Sequence, residues 1–164
     1  MIRDDKEVKW DMSTKIKGKF SKILVAIDGS QPSMDAAEYA IEMAKKDAAQ
    51  IIAVTVNRIS LSSYGLATPE GELKSPQDKE IILESKERFA NLDQKAKQNN
   101  VELKTELINS QMSIDGTIVE YAESEDVDLI IMGTRGRSGF KKLLLGSIAS
   151  AVVTYSPCPV MIVK

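Results

Sequence analysis

Five short apolar runs alternate along the chain with longer stretches in which apolar residues recur every three or four positions. Ile23-Leu24-Val25-Ala26-Ile27 is apolar at every position and stops at Asp28-Gly29-Ser30, which predicts a parallel strand buried on both faces. Pro32 suits the first turn of a following helix, whose stripe is Met34, Ala37, Ala40, Ile41 and Ala44. Ile51 to Val56 predicts a second strand, followed by a Ser-, Gly- and Pro-containing loop over 57–75, long for a compact domain. Ser75-Pro76 marks the start of a helix with Ile82, Phe89, Leu92 and Ala96 along one face. Val101 to Ile108 reads as a third strand. Ser113 then caps a helix carrying Ile114, Ile118 and Ala122. Val127 to Met132 predicts a fourth strand ending at Gly133. Ile148, Ala151, Val152 and Tyr155 mark the face of a last helix, and Pro159 to Val163 a fifth strand. Strand and helix in strict alternation predict an α/β fold: one domain, a five-stranded parallel sheet, helices on both faces. In such sheets ligands sit beyond the carboxyl ends of the strands, where strand order reverses.

Composition narrows the chemistry. The 164 residues contain no histidine, which removes imidazole catalysis and histidine-ligated zinc. One cysteine, Cys158, excludes an intrachain disulfide and suits a reducing cytosol; beside an apolar strand it reads as a small buried residue rather than a reactive thiol. The net charge of −2 lacks the footprint of a nucleic-acid binder. No apolar run approaches the roughly 20 residues of a membrane span, and the charged N-terminus lacks the apolar stretch of a secretion signal. The expectation is a cytoplasmic protein with neither nucleic-acid nor membrane partners. Residues 1–20 form a polar extension, read as an exposed mobile tail or a basic docking arm; residues 21–164 form the domain.

The sharpest charge contrast lies after the fourth strand. Residues 133–142 hold Arg135, Arg137, Lys141 and Lys142 and no acid. Gly133, Gly136 and Gly139 let that backbone bend, and Gly146-Ser147 opens the last helix, whose first amides lack internal partners. Together these features describe a polyphosphate cradle, although a glycine-rich turn with solvated basic residues is also common between strand and helix. No Walker sequence and no Gly-x-Gly-x-x-Gly dehydrogenase fingerprint occurs. Asp28, taken alone, is more often a helix-entry or turn residue than a ligand contact.

Gly133, Gly136 and Gly146-Ser147, spaced Gly-2x-Gly-9x-Gly-Ser, resemble the motif of the ATP-binding universal stress proteins. Ile23 to Ser30 resembles that family's opening strand and Pro157 to Val163 its closing strand. The resemblance implies a strand order 3-2-1-4-5 with the C-terminal strand at an edge, so that Asp28 and Gly133 flank one crevice. It also implies nucleotide contacts at Asp28, Val54, Thr55, Met132, Gly133, Gly136, Gly146, Ser147 and Ile148, with Asp28 near the metal; core packing is the plainer reading of Val54. Arg135 joins them through its charge. The implied cofactors are ATP with Mg²⁺ or Mn²⁺, and the implied assembly is a homodimer through Val160 to Val163, which covers an apolar edge. The expected function is ATP-dependent stress regulation through an unidentified protein partner. The alternatives are a slow ATPase or phosphotransferase at the same site and a nucleotide-free dimeric scaffold.

Overall fold

The computed structural model describes residues 20–59, 76–134 and 145–164. The elements are β1 (Lys22–Ala26), α1 (Gln31–Asp47), β2 (Gln50–Arg58), α2 (Pro76–Gln98), β3 (Leu103–Ser110), α3 (Ile114–Ser124), β4 (Leu129–Gly133), α4 (Ser147–Tyr155) and β5 (Val160–Val163). The sheet is parallel throughout, in the order β3-β2-β1-β4-β5. Both the alternation and the implied strand order are found.

The strands are apolar at successive positions because each feeds two cores. Side chains alternate across a strand, so Ile23 and Val25 join Ile51, Ala53, Leu129 and Ile131 on one face. Leu24 joins Ile52, Val54, Ile130 and Met132 on the other. The first face is covered by α1 and α2. Ala36, Ala37, Ala40 and Ala44 bring α1 close to the sheet, and Leu92 and Ala96 anchor α2. The second face is covered by α3 and α4 through Ile118, Ala122, Ala149 and Val152. Apolar burial at about 25 cal/mol per Å² makes these two layers the main stabilising contribution.

Several boundaries differ from the sequence expectation. β2 runs on to Arg58, because β3 continues beside it to Ser110 and Asn57 Nδ2 donates to Asn109 Oδ1 at 3.0 Å. The loop expected over 57–75 therefore gives up its first residues to the sheet, and 60–75 lies outside the described residues. Val127 and Asp128 precede β4 rather than belong to it. Asp128 is a clamp at the amino end of the sheet: its carboxylate accepts from the Ser21 amide (2.9 Å), the Ser21 hydroxyl (2.8 Å) and the Lys22 amide (3.1 Å). The last helix presents only part of the expected face: Val152 is buried and Ile148 packs against the core, but Tyr155 does not. Ala149 and Val152 are its buried residues, while Tyr155 is 72% exposed. Ile148 and Ala151 are half-buried. Tyr155 closes the helix at the surface, and the sheet is met one residue further round.

Candidate functional site

Beyond the carboxyl ends of β1 and β4 lie two helix starts built in opposite ways. β1 gives way to Asp28-Gly29-Ser30. The Asp28 carboxylate accepts from the Ser30 amide at 2.9 Å and from its hydroxyl at 2.6 Å. Ser30 is the N-cap of α1: its side chain accepts from the Ser33 amide, and Ser33 Oγ donates back to the Ser30 carbonyl at 2.8 Å. Pro32 has no amide hydrogen to satisfy. The amides at the start of α1 are thus answered largely from within the turn. Gly29 sits at φ +83°, a left-handed conformation open to glycine. A Cβ there would fall on the guanidinium of Arg88, which reaches over from α2.

β4 ends at Gly133 beside the same turn, since Ala26 pairs with Met132. A Cβ on Gly133 would stand 2.6–2.8 Å from the backbone and ring of Pro32. The glycine is therefore demanded by the close approach of α1. The chain leaves the sheet at Thr134, whose amide donates to Val163 O at 2.9 Å, and returns at Gly146, whose amide donates to Thr134 O at 2.7 Å. The first bond ties Thr134 to the last strand and the second joins Gly146 to Thr134. Gly146 is the N-cap of α4 in an extended conformation, with no side-chain cap and no acid in the first turn. By contrast, α3 has both, with Ser113 accepting from the Gly116 amide and Asp115 in its first turn. Among the described residues, no side-chain cap and no first-turn acid answers the first amides and the positive end of the helix dipole at α4.

Val54 and Thr55 lie in β2 beside β1. Val54 is a core residue, 1% exposed, and Thr55 Oγ1 donates to Ile27 O at 2.8 Å. Both hold the end of β1 in place. Met132 is buried, Asp28 and Ile148 are half-buried, and Ser147 is exposed. Of the sequence-predicted residues, Met132 and Gly133 end β4, Asp28 lies in the turn after β1, Gly146, Ser147 and Ile148 form the start of α4, and Val54 and Thr55 lie within β2 beside β1. Arg135 and Gly136 lie outside the described residues. Arg88 was missed from the sequence, since nothing in its surroundings ties a helix arginine to a turn 59 positions earlier.

A family model described as Universal stress protein family matches residues 19–164. The chain belongs to the universal stress protein family. Among related sequences, Universal stress protein MJ0531 of Methanocaldococcus jannaschii is 36% identical over 147 residues, covering 88% of this chain and 82% of that one. Among solved structures, universal stress protein UspA from Lactobacillus plantarum superposes with a TM-score of 0.76 at 25% identity, covering 89% of this chain and 99% of that one. A universal stress protein from Archaeoglobus fulgidus in complex with dAMP shares the fold, with a TM-score of 0.64 at 21% identity and coverage of 88% and 98%.

This universal stress protein, among its described residues, gathers no group of three or more acidic or cysteine side chains that would enclose a metal by themselves. A divalent ion such as Mg²⁺ does not require one, because it takes one or two carboxylates plus phosphate oxygens and waters. Asp28 fits the single-carboxylate role. Away from the site, Lys104 on β3 donates to the Tyr121 hydroxyl at 3.2 Å and to Glu125 Oε1 at 3.1 Å. Those bonds raise the Lys104 pKa above the ordinary lysine value. They belong to the packing of α3 on the sheet edge. No described helix is long and apolar enough to cross a membrane.

Proposed function

We propose that this universal stress protein is a regulatory module that binds an adenine nucleotide, ATP with Mg²⁺ or Mn²⁺, at the carboxyl ends of β1 and β4. The observation that carries the reading is the start of α4, which lacks both the side-chain cap and the first-turn acid that α3 has. An anion there would complete the helix, as phosphates do at glycine-opened helix N-termini. The basic residues Arg135, Arg137, Lys141 and Lys142 lie in the sequence that leads into it. The Archaeoglobus fulgidus relative in complex with dAMP supports a nucleotide as ligand class. In this reading the Gly146 and Ser147 amides and the 133–142 segment, with Arg135 and Gly136, hold the phosphates. Met132 and Gly133 line the crevice, and Val54, Thr55 and Ile148 bound its wall. Asp28 holds the metal, which would neutralise phosphate charge. Titration calorimetry with ATP and Mg²⁺, paired with hydrogen exchange of the Gly146 to Ile148 amides, tests it. Micromolar to millimolar binding with slowed exchange is expected; no heat and no protection at millimolar ATP would discard it.

The module acts as a homodimer through β5. That strand is a sheet edge on which Val160, Met161 and Ile162 remain half-exposed, and the neighbouring α4 exposes Val153 and Tyr155. An apolar edge of this kind is ordinarily covered. Sedimentation of wild type against Met161→Lys measures it: a dimer converted to a monomer is expected. A dimer indifferent to the charge places the contact elsewhere. Any ATP hydrolysis at the same site is slow, and equal phosphate release from wild type and Asp28→Ala would assign it to a contaminant.

A further inference from the structure

We infer that Arg88 of α2 is a phosphate-reading residue of this site, held ready by Glu84, and that it makes binding depend on the charge of the nucleotide's phosphate chain. The inference rests on the nucleotide reading above. Arg88 lies on a different helix from every residue that the glycine motif supplies.

Three observations lead to it. First, the guanidinium fills the space that a side chain at Gly29 would take, so it lies against the turn that follows β1, one residue from Asp28. Second, the Arg88 side chain is only 19% exposed and is paired with Glu84 Oε2 through Nη2. Among the described residues Glu84 is the acceptor hydrogen-bonded to it. A guanidinium carries five N–H donors in a rigid fork suited to phosphate, so most of that capacity remains unspent beside the turn. Third, one helical turn away on α2, Ser85 is fully buried and, among the described residues, its hydroxyl has no hydrogen-bond partner. Buried polar groups are nearly always satisfied, so this stretch of α2 is not explained by packing alone.

The chemistry follows from the competition between two anions for one fork. Without ligand, Glu84 neutralises a largely enclosed cation that would otherwise be costly to bury. A phosphate oxygen approaching the Asp28 turn offers the spare donors a second acceptor with stronger, charge-assisted bonds. Binding at Arg88 then bridges α2 to the turn after β1, so ligand charge is transmitted to a helix that carries none of the glycine-motif residues. Adenosine, with no phosphate, gains nothing from Arg88.

Calorimetry with ATP–Mg²⁺ and with adenosine, on wild type, Arg88→Gln and Glu84→Gln, tests this. Arg88→Gln should weaken ATP binding by roughly tenfold and leave adenosine within about twofold. Glu84→Gln removes the competing anion and should tighten ATP binding by about threefold, with adenosine again unmoved. Thermal unfolding confirms that each variant is folded; if Arg88→Gln is not, the Glu84→Gln comparison decides alone. ATP and adenosine weakened equally, or ATP unchanged, overturns the inference while leaving the nucleotide reading intact. A wild-type chain that binds neither ligand overturns both.

Discussion

The starts of α1 and α4 stand at the same end of the sheet, after neighbouring strands, and differ in what satisfies their first amides. At α1, Asp28, Ser30 and Ser33 answer one another within six residues. At α4, glycine stands at the cap, and among the described residues no side-chain cap and no first-turn acid is present. A helix start that closes on itself supplies rigidity; one left open supplies a place for an external anion. The pairing teaches that a site of this kind needs both. The closed turn holds Asp28 still, and in the proposed reading the start of α4 beside it takes the phosphates.

Four substitutions break or sharpen that contrast. The largest effect falls where the start of α1 meets the end of β4. Gly133→Val drives a side chain into Pro32, and urea unfolding should show a loss of about 3 kcal/mol, the upper range for overpacking. Next, Gly146→Asp gives α4 the cap it lacks, at an extended backbone conformation that accepts it. ATP affinity should fall roughly 30-fold while the melting temperature holds or rises, because the carboxylate takes the amides and repels phosphate. If affinity survives this change, α4 is not where the phosphates lie. Third, Ser30→Ala removes the α1 cap and a partner of Asp28, and should cost about 1 kcal/mol in the same unfolding assay. Smallest is Lys104→Gln on the far edge, where Lys104 is 38% exposed. A change of a few tenths of a kcal/mol, with ATP binding unaltered by calorimetry, would mark it as a control remote from the site.

Much of this architecture is legible in the residues. The all-apolar strands follow from two-faced burial, and Ser113 announces α3 because a capping side chain acts within three residues of itself. The α1 stripe of Met34, Ala37, Ala40, Ile41 and Ala44 is met almost residue for residue. The face of α4 is not legible: with apolar residues on several sides of a nine-residue helix, periodicity alone cannot choose between Tyr155 and Ala149. Nor is the reason for Gly133. The motif spacing marks it as a ligand contact, whereas the close approach of Pro32 already requires it. The role of Asp128 also escapes, since a carboxylate inside an apolar run shows no sign that Ser21 and Lys22 stand opposite it.

From its sequence alone this chain determines which segments become strands and helices, that every strand feeds two cores, and that a glycine-rich basic stretch precedes the last helix. Those properties depend on neighbours a few positions apart, where spacing and propensity act directly. Only the tertiary structure decides that Gly29 makes room for Arg88, that Gly133 yields to Pro32, and that the start of α4 stands open beside the closed start of α1. Those relations join residues many positions apart, and close packing of the assembled layers, rather than any local pattern, brings them into contact.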